Sequence, residues 1–145
     1  MDMTPKEYQQ YVRQRAAKSP LLKNLVSAFV IGGAICCVGQ LLRDLYTSLG
    51  LDLESAGTAT SVSLVFLSAL FTALGLYHKL ARFAGAGTLV PITGFANAVV
   101  SPAIDFHAEG IITGTAVKMF TVAGPVIVFG TAAAALYGVL LWAFG

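Results

Sequence analysis

The chain has 145 residues, of which 57% are hydrophobic and only 11% are charged, with a mean hydropathy of +0.78. Soluble domains carry about a quarter charged residues, so the composition favours a membrane protein. The net charge of +2 says little by itself. We expect no nucleic-acid partner. The sequence lacks the repeated segments of about ten alternating residues that are typical of an outer-membrane barrel. It therefore predicts an all-α integral membrane protein with one transmembrane domain at 21–145.

The first twenty residues, 1–20, are polar and predict an amphipathic helix in front of the membrane domain. Thr4 is placed to cap this helix, Pro5 takes its first position, and Glu7 completes a capping box. Two tyrosines and an arginine then follow at helical spacing and share one face: Tyr8, Tyr11 and Arg15. Two interpretations remain open, a solvated helix and a helix whose aromatic face lies at the membrane surface.

Two uncharged runs, 24–42 and 57–78, predict the first membrane spans, because each is close to the ~20 residues that cross the hydrocarbon core. Between them, residues 43–54 predict a net acidic loop. Five of the nine Lys and Arg residues precede the first run. This excess of positive charge predicts that the N-terminus lies on the cytoplasmic side.

Residues 86–120 are apolar but rich in glycine and proline, which an uninterrupted membrane helix does not need. We expect helix breaks at three prolines: Pro91, Pro102 and Pro125. In one arrangement residues 83–104 cross the membrane and the following chain returns, giving four spans. In the other, 86–120 re-enters as a pair of half-helices and only the final helix crosses. The second is favoured because the 36 residues of 110–145 exceed one span, and it puts the C-terminus on the outer side.

Non-helical backbone at membrane depth persists only where protein or water satisfies its polar groups, so this stretch predicts the wall of a pathway. Lys118 is its most informative side chain. It is either an anion contact, with Glu109 as an alternative partner, or a residue that snorkels to the headgroups. The other candidates for pore or anion contact are small or polar residues: Gly94, Asn97, Gly110 and Gly114.

Asp105, His107 and Glu109 form a charged cluster with alternating spacing. If residues 105–109 were helical, Asp105 and Glu109 would share a face and His107 would point away. In an extended turn all three can face one side. The cluster is therefore either a hydrated loop or a contact for calcium, and we assign no metal site.

No residue pattern indicates catalysis or a bound cofactor. The chain has no HExxH sequence, no Ser/His/Asp arrangement and no phosphate-binding glycine loop. Cys36 and Cys37 are adjacent within an apolar run, where a thiol behaves as a small hydrophobic group. We therefore expect neither an enzyme nor a disulfide framework.

Two segments in the second half of the chain indicate a family. They are VPITGFANAVVS at residues 90–101 and GTAVKMFTVAGPVIVFG at residues 114–130. From the first span onward, the chain resembles the stage V sporulation protein AC/AE family of endospore-forming bacteria. The polar N-terminal extension is more similar to the AC branch of that family.

The resemblance implies a place in the inner membrane of the spore, with the N-terminus on the spore-core side. It also implies a complex that carries dipicolinate with calcium into the forespore and out at germination, and a tension-responsive channel. The implied partners are an AE-type membrane subunit and an AD-type soluble subunit that binds dipicolinate, besides membrane lipid. We thus predict a channel subunit that works as an oligomer. The alternative is a non-conducting scaffold that assembles partner subunits.

Overall fold

The computed structural model of the chain describes residues 4–15 and 20–144, and all regular structure in these ranges is helical. The α-helices are α1 Pro5–Arg15, α2 Leu21–Ser48, α3 Leu53–Ala73, α4 Tyr77–Ala84, α5 Ala86–Leu89, α6 Ile92–Asp105 and α7 Val117–Phe144. A 3-10 turn, His107–Glu109, and a π-helical turn, Ile111–Ala116, connect α6 to α7. Three segments are long and apolar enough to span a membrane: Leu21–Ser48, Leu53–Ala73 and Ile111–Phe144. The prediction of an all-α membrane protein is confirmed.

The start of α1 contains the predicted capping box. The Thr4 amide and hydroxyl donate to Glu7 Oε2 over 2.9 and 2.8 Å, and the Glu7 amide donates to the Thr4 hydroxyl over 3.4 Å. Hydrogen bonds from the backbone and then the side chain of Thr4 lower the pKa of Glu7. The Arg15 guanidinium lies 5.1 Å from the ring centroid of Tyr11, so these two residues share a face as predicted. Residues 1–3 and 16–19 of the predicted N-terminal segment lie outside the described ranges.

The first two spans form a tighter hairpin than the sequence predicts. α2 continues to Ser48, so the predicted loop 43–54 shrinks to a turn at 49–52. Charged residues at the end of a span do not interrupt backbone hydrogen bonding. For this reason α2 extends beyond the uncharged run 24–42. Gly50, at φ +94°, permits the turn because glycine has no Cβ to clash. Asp52 then caps α3 by accepting hydrogen bonds from two backbone amides, both over 3.1 Å.

The chain after α3 turns back along the bundle. α6 lies parallel to α3, since Ser68 contacts Thr93 and, four residues further along both helices, Thr72 contacts Asn97. The intervening residues 77–91 must therefore return before α6 begins. α4 and α5 make this return and pack against α2 on the way.

Residues 77–91, which we call the returning segment, form with α6 the counterpart of the predicted re-entrant pair, with different bounds. The pair covers residues 77–105 rather than 86–120, because the last helix already begins at Ile111. That helix runs for 34 residues, which exceeds the ~20 residues of one span, as the sequence indicates. It has no break near residue 120, where the predicted pair of half-helices ends. The π-helical turn explains the difference: the Thr115 amide donates to the Gly110 carbonyl over 3.0 Å and joins the connecting turn to the helix.

Only one of the three predicted helix breaks separates two helices. Pro91 has an extended backbone, with ψ of 161°, and lies between α5 and α6. Pro102 and Pro125 lie inside α6 and α7, so the breaks predicted there are wrong. Proline removes one helical hydrogen bond, but membrane helices tolerate it where neighbouring groups satisfy the freed carbonyl.

The surroundings of the last helix change at Pro125. The helix packs against α6, and residues 122–124 just before the proline are half-buried, whereas every residue from 125 to 144 is exposed. Trp142, at 88% exposure, and Phe144, at 87%, show how completely this end projects from the bundle. The stretch is long enough to cross a bilayer and presents all its sides to lipid or to other subunits.

Candidate functional site

One face of α6 carries a polar residue at every fourth position: Thr93, Asn97, Ser101 and Asp105. Residues four apart lie on the same side of a helix, so these side chains form a row about 18 Å long. Exposure increases along the row, from buried Thr93 through half-buried Asn97 and Ser101 to exposed Asp105. We call this row the polar stripe of α6.

The buried half of the polar stripe is hydrogen-bonded to α3. The Ser68 hydroxyl donates to the Thr93 carbonyl over 2.6 Å. The Thr72 hydroxyl lies 2.7 Å from the Ser68 carbonyl and 2.9 Å from Asn97 Oδ1. Ser68 and Thr72 are themselves one turn apart, so two polar rows face each other between apolar helices. In a membrane protein each such interhelical bond contributes about 0.6 kcal/mol.

Tyr77 connects α4 to the same network. Its side chain is only 5% exposed, and its hydroxyl lies 2.8 Å from the Thr88 carbonyl and 3.1 Å from Thr93 Oγ1. It therefore ties the start of the returning segment to its end and to the first turn of α6. Within the described ranges no buried side-chain nitrogen or oxygen lacks a hydrogen-bond partner, so this network is complete.

The exposed half of the polar stripe opens into a pocket of about 270 Å³. Three helices line it: Thr72 from α3, His78 from α4, and Asn97, Ser101, Ile104 and Asp105 from α6. A pocket of this size holds several water molecules, since each occupies about 30 Å³ in the liquid. Hydroxyl, amide, imidazole and carboxylate groups thus line one space that is large enough for water, beside apolar helices.

Lys118 lies near the exposed end of the polar stripe. Its side chain is half-buried, and its Nζ is 3.9 Å from the ring centroid of Phe106, the residue after Asp105. A cation–π contact of this kind contributes about 0.5–2 kcal/mol. The partner that the structure gives Lys118 is therefore this ring, not the carboxylate of Glu109.

The glycines predicted as anion contacts are packing positions in this structure. A Cβ on Gly94 would overlap two carbonyl oxygens of the preceding segment, and one on Gly114 would overlap the Phe106 carbonyl oxygen. The Gly94 amide already donates to the Pro91 carbonyl over 2.8 Å. Gly110, at φ +102°, forms the turn before the last helix. Contact between these glycines and an anion stays a prediction.

The structure brings only some of the predicted site residues together. Asn97 and Asp105 line one pocket, whereas Gly94 lies near the opposite end of α6. His107 and Glu109 belong to the 3-10 turn beyond the pocket. In residues 4–15 and 20–144, no three His, Cys, Asp or Glu side chains are close enough to hold a metal ion. The calcium contact therefore stays a prediction.

Several members of the site carry no signal of their own in the sequence: Ser68, Thr72, Tyr77 and His78. The spacing from Thr93 to Asp105 is a readable signal, because a polar row on an apolar helix indicates a face turned away from lipid. The residues that face this row belong to α3 and α4, and only the tertiary structure identifies them.

Known proteins match the chain over most of its length, which confirms the resemblance. The sequence profile of the SpoVAC/SpoVAEB sporulation membrane protein matches residues 24–140. Stage V sporulation protein AC of Bacillus subtilis (strain 168) is 42% identical over 138 residues, which cover 94% of this chain and 92% of that protein. No solved structure matches the chain. The profile match extends from the first turns of α2 into the last turns of α7, and the chain belongs to the SpoVAC/SpoVAEB family of sporulation membrane proteins.

Proposed function

We propose that the chain is a non-enzymatic channel subunit of the inner spore membrane that forms part of the wall of an aqueous pathway. The polar stripe of α6, which opens into a polar pocket, carries this proposal. Ionisable and polar side chains in membrane proteins generally face water or protein rather than lipid. Exposure increases along the polar stripe of α6. This supports a path that is open to water at one end and closed at the other.

We take dipicolinate, accompanied by calcium, as the permeant, with uptake during sporulation, release at germination and membrane tension as the stimulus. These details follow the family resemblance. Dipicolinate is a planar aromatic dianion, and the stacked pair of Lys118 and Phe106 supports contact with such a molecule because it offers both a cation and a ring. Asp105 and the hydroxyl groups of the pocket offer oxygen ligands of the kind that calcium prefers.

The proposed pathway needs further subunits, since one small chain with three spans is too small to enclose it. The exposed end of α7, residues 125–144, supports contact with other copies or with an AE-type membrane subunit. An AD-type soluble subunit would then deliver dipicolinate on the cytoplasmic side, where we place the N-terminus.

Conductance of the purified chain in planar bilayers under tension tests the channel. We expect tension-gated currents whose anion-to-cation permeability ratio falls in Lys118→Gln and rises in Asp105→Asn, because each change removes one charge beside the path. Lys79→Gln is the matched control, since Lys79 is exposed on α4 and does not line the pocket. Identical ratios in Lys118→Gln and Lys79→Gln, or no current even with the AE-type subunit present, would count against the channel.

A non-conducting scaffold is the second candidate, and the exposed end of α7 favours it. A scaffold predicts that substitutions on α7 abolish co-purification with the AE-type subunit. It also predicts that substitutions at Lys118 and Asp105 leave the permeability ratio of the assembled complex unchanged. Measuring both properties on the same variants separates the two functions.

A further inference from the structure

Two neighbouring cavities lie between α2 and the returning segment. The first measures about 360 Å³ and is lined by Arg82 and Asn24, with Leu21, Leu25 and Phe83 among the apolar residues around them. The second measures about 500 Å³ and has only apolar and glycine residues in its lining, from α2, α5 and the turn after α5. Ala28 and Ala86 line both cavities, so the two form one continuous groove. We call it the α2–α5 groove.

The polarity of this groove changes in one direction. Along α2 its lining extends from Leu21 to Cys36, about 22 Å at 1.5 Å per residue. The polar residues lie at the first end, and from Ala28 onward the lining is apolar for about 12 Å. One leaflet of the hydrocarbon core is about 15 Å thick, so the apolar part matches the depth of a single leaflet.

The floor of the groove is backbone rather than side chain. Gly87 of α5 approaches α2 so closely that a Cβ on it would lie 2.8 Å from the Ala28 Cα. A Cβ on Gly32 would lie 3.2 Å from the Gly87 carbonyl oxygen. Phe29 and Val90, 81% and 83% exposed, stand beside this floor. A groove with a backbone floor and apolar side chains on both sides has a shape that fits an extended hydrocarbon chain.

We propose that the α2–α5 groove binds one anionic phospholipid, with its phosphate at Arg82 and Asn24 and one acyl chain along the glycine floor. A guanidinium binds phosphate through paired charge-assisted hydrogen bonds. Lys23, which precedes Asn24 on α2 but does not line the cavity, carries a second positive charge in the same helical turn. Basic pockets between membrane helices on the cytoplasmic side bind anionic headgroups for this reason. A helix of a second copy would fill the apolar part but would leave the arginine without an anion.

Gly33 gives a direct way to block the acyl-chain position. It lines the groove on α2, and a Cβ there would meet no atom within 4 Å, so a larger side chain fills the groove without a clash. Gly57 on α3 is equally open but lies outside both cavities. Gly33→Leu and Gly57→Leu therefore make a matched pair, as do Arg82→Gln and Lys79→Gln for the headgroup.

Native mass spectrometry of the full-length protein in detergent, titrated with phosphatidylglycerol, tests the site. We expect one lipid per chain to stay bound after the others dissociate, and about tenfold weaker binding in Arg82→Gln and Gly33→Leu. Lys79→Gln and Gly57→Leu should bind as the unaltered protein does. Circular dichroism checks that each variant folds, and Cys36→Phe, which blocks the groove further along, replaces Gly33→Leu if that variant does not.

Four outcomes would overturn the proposal. Equal retention of phosphatidylcholine would show that charge plays no part. Unchanged binding in Arg82→Gln or Gly33→Leu would mean that the retained lipid lies elsewhere. Loss of dimers in Gly33→Leu, with the lipid count unchanged, would assign the groove to a second copy. Glycerol phosphate binding as tightly as the whole lipid would make this a headgroup site without an acyl chain. None of these outcomes depends on channel activity.

Discussion

Single glycines of α2 and α5 differ in whether they have room for a side chain. Gly87 has none, because a Cβ there would lie 2.8 Å from the Ala28 Cα, whereas one on Gly33 would meet nothing within 4 Å. We expect Gly87→Ala to lower the free energy of unfolding by about 1–3 kcal/mol through overpacking. Gly33→Ala should raise it by about 0.5–1 kcal/mol through a stiffer unfolded chain. Reversible unfolding in detergent measures both, and equal effects would contradict the close approach of α5 to α2.

Tyr77 contributes through a buried hydroxyl. Tyr77→Phe leaves the ring in place but removes the contacts with the Thr88 carbonyl and Thr93 Oγ1. We expect a loss of about 1–2 kcal/mol in the free energy of unfolding, because the buried partners are left without a hydrogen bond. Tyr137 is 64% exposed, so Tyr137→Phe should change stability little. A similar loss in both variants would indicate that the Tyr77 contacts contribute nothing specific.

The capping box of α1 makes the stability of that helix depend on pH. Hydrogen bonds from Thr4 lower the pKa of Glu7 below its ordinary value of 4.5, so folding favours the charged carboxylate. This contribution is present above pH 4.5 and is lost as pH falls through the lowered value. We expect amide hydrogen exchange in α1 of the full-length protein, corrected for intrinsic rates, to accelerate over that range. In Glu7→Gln the acceleration should disappear, and its persistence would assign the pH dependence to another group.

At the scale of elements, the parallel placement of α3 and α6 predicts the membrane topology. The returning segment leads from the end of α3 back into the bundle, α6 then runs to the side on which α3 ends, and only the last helix crosses. With Cys36 and Cys37 replaced by alanine, cysteines at Lys79 and Glu109 should react with an impermeant reagent from the same side. A cysteine at Ala143 should react from the other side.

Labelling of positions 79 and 109 from opposite sides would contradict this topology. It would mean that α6 crosses the membrane and that the chain has four spans. A cysteine at Ser48 serves as the reference, because the turn between α2 and α3 lies at the other end of these two spans.

At the scale of the whole molecule, the exposed end of α7 predicts how chains associate. Small residues recur four apart on one of its faces: Gly130, Ala134 and Gly138. Such faces let membrane helices approach closely. We expect Ala134→Leu to shift the oligomer towards monomer in sedimentation or cross-linking experiments, whereas Ala132→Leu on the opposite face should not. Equal effects of the two substitutions would rule out this face as the interface.

Features that depend on composition or on neighbouring residues could be predicted without the fold. The apolar runs identified α2 and α3, because crossing a bilayer requires only length and hydrophobicity. The capping box of α1 could be predicted because its partners are three residues apart. Glycine and proline marked part of the region where the chain turns back, since Pro91 separates α5 from α6. The helix breaks predicted at Pro102 and Pro125 were wrong, since a proline within a membrane helix does not by itself determine whether the helix ends.

Features that depend on residues far apart in the sequence could be identified only from the fold. Ser68 and Thr93 are 25 positions apart, and no local pattern indicates that their helices lie parallel. The polar pocket, the buried hydroxyl of Tyr77 and the α2–α5 groove all follow from that placement. Lys118 could be recognised in the sequence as an ionisable group in an apolar segment, but its partner, the Phe106 ring, depends on how α7 packs against the end of α6. Hydrophobicity assigned the helices to the membrane, and side-chain packing with interhelical hydrogen bonds then selected their arrangement.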